Sequence, residues 1–199
     1  MARRIIGLTG GIATGKSTVS AYLETVHHLP VLDADVYARQ AVALGSPILV
    51  ELAQRYGDDI LLPDGNLDRA KLGEIIFNNA DEKRWVEQQI HPFVRQRFQT
   101  IAQTYVPKQT LVYVIPLLFE ARLTSLVTEI WVVVCPLAQQ LERLMARNRL
   151  TQAQAQSRIK SQMPLREKIA QADVVLDNTG DRENLFRQID NFLNNAKCR

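Results

Sequence analysis

Cysteine and histidine are scarce. Two cysteines, Cys135 and Cys198, stand far apart among 199 residues and form no Cys-x-x-Cys, which leaves no basis for a disulfide framework or a thiolate zinc site. Cys135 closes an apolar run and reads as buried packing; Cys198 sits in the C-terminal tail with no role. The histidines His27, His28 and His91 have no metal-ligand spacing, so bound zinc is not expected. Long apolar runs are missing too. The stretch from Val112 to Phe119 falls far short of the ~20 residues that span a bilayer. Met1-Ala2-Arg3-Arg4 leads into Ile5-Ile6-Gly7 without the apolar h-region of a signal peptide. The expectation is a soluble, cytoplasmic protein with no membrane partner. A net charge of +3 is too small to argue for a nucleic-acid partner. The oligomeric state cannot be read at all.

What is present is enough for a core. Hydrophobic residues make up 46% of the chain, which excludes disorder, and a chain of this size buries roughly 70% of its unfolded surface without needing staples. The reading is a single domain over residues 1–199. Ile5 to Thr9 is a short apolar, β-branched run ending in glycines, as a buried strand would. Lys16 to Val26 carries Val19, Leu23 and Val26 at helical spacing. Pro30 to Asp33 predicts a second strand, followed by a helix over about 34–43. Leu111 to Ile115 and Ile130 to Val134 have the continuous apolar character of parallel strands covered on both faces. Pro136 stands at a favoured first helical position, and Leu137, Leu141, Leu144 and Met145 form the apolar stripe of the helix that follows. Val174 to Leu176 predicts the last strand, and Asp181 can cap the final helix. Strands alternating with helices imply an α/β fold around a parallel sheet. Residues 46–105 break the alternation with helical patterns and no convincing strand. They read as an insertion whose long helices stop or restart at Pro92.

Gly10-Gly11-Ile12-Ala13-Thr14-Gly15-Lys16-Ser17 fits G-x-x-x-x-G-K-[ST] between a predicted strand and a predicted helix, the context that confirms a P-loop. The glycines let backbone N–H groups converge on phosphate, and the helix adds the partial positive charge of its N-terminus. Lys16 can reach the β- and γ-phosphates, and the Ser17 hydroxyl can take a position on Mg²⁺. A glycine-rich turn with a chance Lys-Ser is the plainer alternative, and the flanking strand and helix weigh against it.

The kind of P-loop protein is set partly by further absences. Neither of the two strongest later strands ends in an acid that could hold Mg²⁺; they run into Pro116 and into Cys135-Pro136. No Asn-Lys-x-Asp segment is present to read guanine. The acids sit instead at Asp33 and Asp35, after the second strand, where ligands of open parallel sheets gather. Asp33 there could accept the proton of an attacking hydroxyl or help hold the metal. Either aspartate could equally be a helix N-cap. From Arg143 to Arg166 there are six cations and no acid, which favours a polyphosphate partner. Thr151 to Gln154 has capping-box form and starts a new helix. A mobile lid over residues 147–168, with Arg147 stabilising the transferring phosphoryl group, is one reading. A solvated helical face is another, and a nucleic-acid patch is a third that lacks interleaved aromatics.

P-loop, helical insertion and arginine lid together resemble the nucleoside-monophosphate-kinase group, and within it the dephospho-coenzyme A kinase family. The likeness rests on Ile6 to Thr18, Asp33-Ala34-Asp35 with Arg39, His91-Pro92, Pro116-Leu117-Leu118-Phe119-Glu120 and Asp177-Asn178-Thr179-Gly180, in that order along nearly the whole chain. Ala13-Thr14 departs from the Gly-Ser expected in many relatives, at free positions of the motif. The resemblance implies a P-loop kinase core with a five-stranded parallel sheet. It implies ATP and Mg²⁺ as cofactors and dephospho-CoA as the small-molecule partner, phosphorylated on its ribose 3′-hydroxyl. It makes Asp33 the base and Lys16 and Arg147 its catalytic companions. It implies nucleotide contacts from Gly11, Ile12, Ala13, Thr14, Gly15, Lys16, Ser17, Thr18, Arg143, Asn178 and Gly180, with Ser17 on the metal. Thr9, Asp35, Arg39, His91, Pro116 and Leu118 are implied for the acceptor, and residues 46–105 for much of the CoA-binding region. A kinase of another small acceptor, or a slow ATP-hydrolysing switch, are the readings the motifs leave beside it.

Overall fold

The computed structural model describes residues 3–196; Met1, Ala2 and Cys198 lie outside them. The chain runs through β1 (Ile5–Gly10), α1 (Lys16–Thr25), β2 (Val31–Asp33), α2 (Ala34–Ala41), α3 (Pro47–Tyr56), α4 (Arg69–Asn78) and α5 (Ala80–Gln103). It continues through β3 (Leu111–Val114), β4 (Glu129–Val134), α6 (Leu137–Asn148), α7 (Gln152–Lys160), α8 (Leu165–Ile169), β5 (Val174–Asp177) and α9 (Arg182–Ala196). Two compact units result. One is built from the chain up to Asp33 and again from Tyr105 onward; the other is Ala34–Thr104.

The first unit holds a five-stranded sheet in the order β2-β3-β1-β4-β5, with every pairing parallel. Its central strands are apolar where both faces are covered: all four residues of β3 are buried, as are Trp131, Val132 and Val133 of β4. Ile6, Leu8, Val114, Trp131, Val133 and Leu176 pack in one core with Val19 and Leu23 of α1 and Leu185, Ile189 and Leu193 of α9. Asp181 caps α9 as expected, accepting from the Asn184 N–H at 2.8 Å. The order of strands reverses around β1, the point at which open α/β sheets collect ligands beyond their carboxyl ends. Asp33 pairs with Val114 and Val114 with Leu8. The last residue of β2 therefore lies level with Leu8, two residues before β1 ends at Gly10, two strands away and about 10 Å across the sheet.

The second unit is helical, with Val42, Leu49, Leu52, Ile60, Leu67, Leu72 and Val86 at its core. Its helices are capped by their own sequence: Ser46 accepts from the Leu49 N–H, Asp68 from Ala70 and Lys71, and Asn79 from Asp81 and Glu82. Among the described residues no helix is long and apolar enough to cross a membrane.

Two expectations need correction. Pro92 neither stops nor restarts a helix; α5 runs through it without a break. Val86, Val94, Phe98 and Ala102 are buried on either side of it, and with the partly buried Ile90 they recur every four residues. Continuous burial of that stripe outweighs the ~3 kcal/mol that an interior proline costs. In α6 Leu144 is buried and Leu141 and Met145 are partly buried, as expected, but the first member of the stripe departs. Leu137 is exposed, while Gln140 and Leu144 are the buried residues, and Pro136 is the N-cap rather than the first helical residue. Gln140 goes inside because it finds a hydrogen-bond partner there, described next.

Candidate active site

The P-loop leaves β1 through Gly10 and enters α1 at Lys16. No acid occupies the first turn of α1, so nothing competes with an anion for the helix's partial positive charge. Close approach demands glycine at three positions of the loop; at Gly10 a Cβ would run into the Val133 backbone carbonyl. At Gly15, with φ 103°, a Cβ would collide with Asn178 Nδ2, and at Gly11 it would collide with Gln140 Nε2. Ala13 adopts φ 59°, a left-handed conformation that a residue with a Cβ rarely adopts unless its neighbours impose it.

Those neighbours are visible. Gln140 Nε2 donates to the Ile12 carbonyl at 2.9 Å, and Gln162 Oε1 accepts from the Ile12 N–H at 2.8 Å, so the Ile12 group is held from both ends. Thr14 is buried; its hydroxyl donates to the Gly11 carbonyl at 2.9 Å, and its own carbonyl accepts from Asn178 Nδ2 at 2.7 Å. Lys16 Nζ donates to the carbonyls of Gly11 at 2.7 Å and Gly10 at 3.1 Å. The ammonium thus rests over the loop it serves. Ser17 and Thr18 follow in the first turn of α1, with Ser17 exposed. Thr9 is fully buried and its hydroxyl donates to the Pro116 carbonyl at 3.2 Å. Leu118 is fully buried as well, so both side chains are spent inside the fold.

Arg143 donates through Nη2 to Gln139 Oε1 at 3.1 Å and to the Asn178 carbonyl at 3.3 Å, which ties α6 to the strand end that also holds Thr14. Arg147 is exposed and donates to Asn148 Oδ1 at 2.9 Å. Beyond it Arg149 turns left-handed and ends α6, and Thr151 and Gln154 form the capping box that starts α7. Arg158, Lys160 and Arg166 are exposed, as is Gly180. Cys135 is buried, as its sequence setting indicates. Burial raises its thiol pKa, against the lowering influence of Arg143 and Lys16 and with a smaller raising one from Asp177.

Asp33 is the last residue of β2 and stands immediately before α2, in the N-cap position, whereas Asp35 lies within the first turn. Asp35 and Arg39 stand a turn apart on α2 and are exposed, and His91 on α5 is partly buried. Burial depresses the His91 pKa; Glu87 pushes it up and Arg95 adds a smaller downward push. Tyr37 of α2 meets Phe98 of α5 edge-on with ring centroids 5.1 Å apart. Gln140 and Gln162 are absent from the sequence reading. No motif marks either one, and only the loop they grip reveals them.

A family model described as dephospho-CoA kinase (CoaE) matches residues 4–184. A dephospho-CoA kinase of Trichormus variabilis is 63% identical over 195 residues, covering 98% of both chains. One of Synechocystis is 60% identical over 187 residues, covering 94% of this chain and 93% of its own. Among crystal structures, TT1252 from Thermus thermophilus superposes with a TM-score of 0.84 at 33% identity over 98% of both chains. Dephospho-CoA kinase from Campylobacter jejuni gives a TM-score of 0.68 at 26% identity over 96% of this chain and 95% of that one.

Proposed function

This chain belongs to the dephospho-CoA kinase family, and we infer from that membership that it transfers the terminal phosphoryl group of ATP to the ribose 3′-hydroxyl of dephospho-CoA, the last step of coenzyme A synthesis. The observation that carries the donor half is the P-loop at the head of α1, its backbone held by Gln140, Gln162 and Asn178. Membership narrows the acceptor, which the motifs alone leave open.

Within that reaction we assign the P-loop from Gly11 to Thr18 to the phosphates, with the Ile12 N–H kept on Gln162. Lys16 leaves the Gly10 and Gly11 carbonyls to meet the β- and γ-phosphates, where its charge counts most as the transition state develops. Asp33 ends β2 at the carboxyl edge of the same parallel sheet from which the loop leaves, two strands from β1, and there it accepts the proton of the attacking hydroxyl or orients that hydroxyl. The residues fit Mg²⁺: the exposed Ser17 offers its hydroxyl at the P-loop Ser/Thr position that takes the ion in P-loop NTPases, with substrate phosphates as further ligands. When bound, the ion would neutralise charge on the β- and γ-phosphate oxygens. Arg143 and Gly180 border the adenine side, while Asn178 acts by holding Thr14. Arg147 belongs to a lid over residues 147–168 that closes on the phosphates. Asp35, Arg39 and His91 contact the acceptor, whose larger part lies on residues 46–105. Thr9, Pro116 and Leu118 support the site from beneath. A cytoplasmic location is part of the same proposal, since the donor is ATP.

The test is acceptor-dependent ADP release. The chain is incubated with ATP, Mg²⁺ and a panel containing dephospho-CoA, nucleoside monophosphates and no acceptor. Rapid ADP formation only with dephospho-CoA, with the product carrying a 3′-phosphate, is the expected result. Turnover equally fast without acceptor, or faster with a nucleoside monophosphate, would overturn it.

A further inference from the structure

Lys168, on the short helix α8, is fully buried. Its Nζ lies 2.8 Å from Glu120 Oε1 and donates to the Pro116 carbonyl at 3.4 Å. Burying an ammonium is costly, and a buried ion pair is often no more stabilising than apolar residues of the same volume. Stability alone therefore gives little reason for a lysine here; its partners give a better one. Glu120 Oε1 also accepts the Met163 N–H at 3.0 Å. Met163 directly follows Gln162, whose side chain accepts the Ile12 N–H. The Pro116 carbonyl takes the Thr9 hydroxyl as well, one residue before the P-loop begins.

The contacts form a continuous path. Lys168 holds Glu120, Glu120 holds the turn between α7 and α8, and that turn presents Gln162 to the loop. A glutamine has several rotatable bonds and loses appreciable entropy when held; fixing the backbone beside it reduces the freedom left to lose. The Ile12 group it grips adjoins Ala13, whose left-handed conformation persists only where surroundings impose it. We propose that Lys168 and Glu120 are positioning residues for phosphoryl transfer: through the Met163 N–H they seat Gln162 on the Ile12 N–H, and so hold the P-loop in the form that receives the nucleotide's phosphates. The proposal rests on the P-loop being the ATP site.

A double-mutant cycle on the full chain decides it, read by ADP affinity, by KM for ATP and for dephospho-CoA, and by Tm. Gln162→Leu, at a partly exposed position, should weaken ADP binding about tenfold, the scale of one lost hydrogen bond, and leave KM for dephospho-CoA within about twofold. Lys168→Met should weaken ADP binding by a similar factor and lower Tm as well. The double variant should bind ADP no more weakly than either single one, because both act through the same contact. Lys168→Arg keeps the cation and should restore most of the affinity. If Lys168→Met does not fold, Glu120→Ala takes its place in the cycle, because it removes the acceptor of the Met163 N–H and should weaken ADP binding by the same factor. An additive, roughly hundredfold loss in the double variant would overturn the proposal. So would unchanged ADP affinity in Gln162→Leu, or a Lys168 variant that lowers Tm alone. ADP binding needs no acceptor, so these outcomes are separable from a failure of the wild-type chain to phosphorylate dephospho-CoA.

Discussion

Gly15→Ala probes how the P-loop is held, because two separate costs meet at that residue. The backbone at φ 103° is unfavourable for any residue with a Cβ, at about 1–3 kcal/mol. The new methyl would also collide with Asn178 Nδ2, the donor to the buried Thr14 carbonyl. Displacing it leaves a buried donor and acceptor unpaired, at about 1–3 kcal/mol. The substitution should therefore destabilise the chain by about 2–6 kcal/mol. Asn178→Ala removes the obstacle and incurs the second cost by itself. In that background Gly15→Ala should bring only the backbone cost, so the two changes together should cost about 1–3 kcal/mol less than their sum. Urea unfolding of the wild type, both single variants and the double variant measures the difference, with ADP affinity followed in parallel. Additivity within about 0.5 kcal/mol would refute the reasoning, since Asn178 would then not be what Gly15 makes room for.

Asp33→Asn should lower kcat by ~10²–10⁴ with ATP binding retained; kcat measured against Mg²⁺ concentration separates a base, insensitive to metal, from a metal-holding group rescued by excess Mg²⁺, and a larger loss in Asp35→Asn would show that the wrong aspartate was chosen. Arg147→Ala should reduce kcat more than it raises KM for ATP, as expected for a group acting chiefly on transition-state charge; no change in either parameter would leave it a solvated surface residue. In the helical unit, Glu82 accepts hydrogen bonds from Arg55 at 2.7 and 2.9 Å and from the Tyr56 hydroxyl at 2.6 Å. Arg55 first, then Tyr56, holds its pKa down at about 2. A depressed carboxylate stabilises the fold above its unfolded pKa and loses that contribution as pH falls through the folded value. Urea midpoints should therefore drop between about pH 4.5 and about pH 2 more steeply in the wild type than in Glu82→Gln, and parallel curves would count against the cluster.

The sheet was legible in the sequence because each strand carries a short run of consecutive, mostly β-branched apolar residues bounded by glycine, proline or aspartate. The P-loop was legible for a related reason: its function lies in consecutive backbone groups, so the motif is local. α5 was harder. Proline's missing donor is visible in sequence, whereas the buried stripe through Val86, Val94 and Phe98 that overrides it is a tertiary fact. Periodicity likewise placed Leu137 inside α6 and gave Gln140 no special weight. A hydrophobic pattern cannot register that a buried amide will find the Ile12 carbonyl 128 residues away in sequence.

The same limit governs the rest of the site, and it has a physical cause. The loop satisfies part of its own backbone, through Thr14 and Lys16 on the Gly10 and Gly11 carbonyls, but the Ile12 N–H and the Ile12 and Thr14 carbonyls take partners from elsewhere in the fold. Here they are Gln140 on α6, Gln162 after α7 and Asn178 after β5. Each sits in a segment that reads as something else: an apolar helix, a charged lid, a strand end recognised only through its resemblance to a kinase motif. Lys168 is the extreme case. In composition it is one more cation near an arginine-rich stretch. Its complete burial against Glu120 separates it from Arg158 and Arg166, which remain in solvent. Charge pattern singles out the region proposed to meet polyphosphate. Only burial and hydrogen-bond partners separate the cations free to approach it from those that hold the site in place.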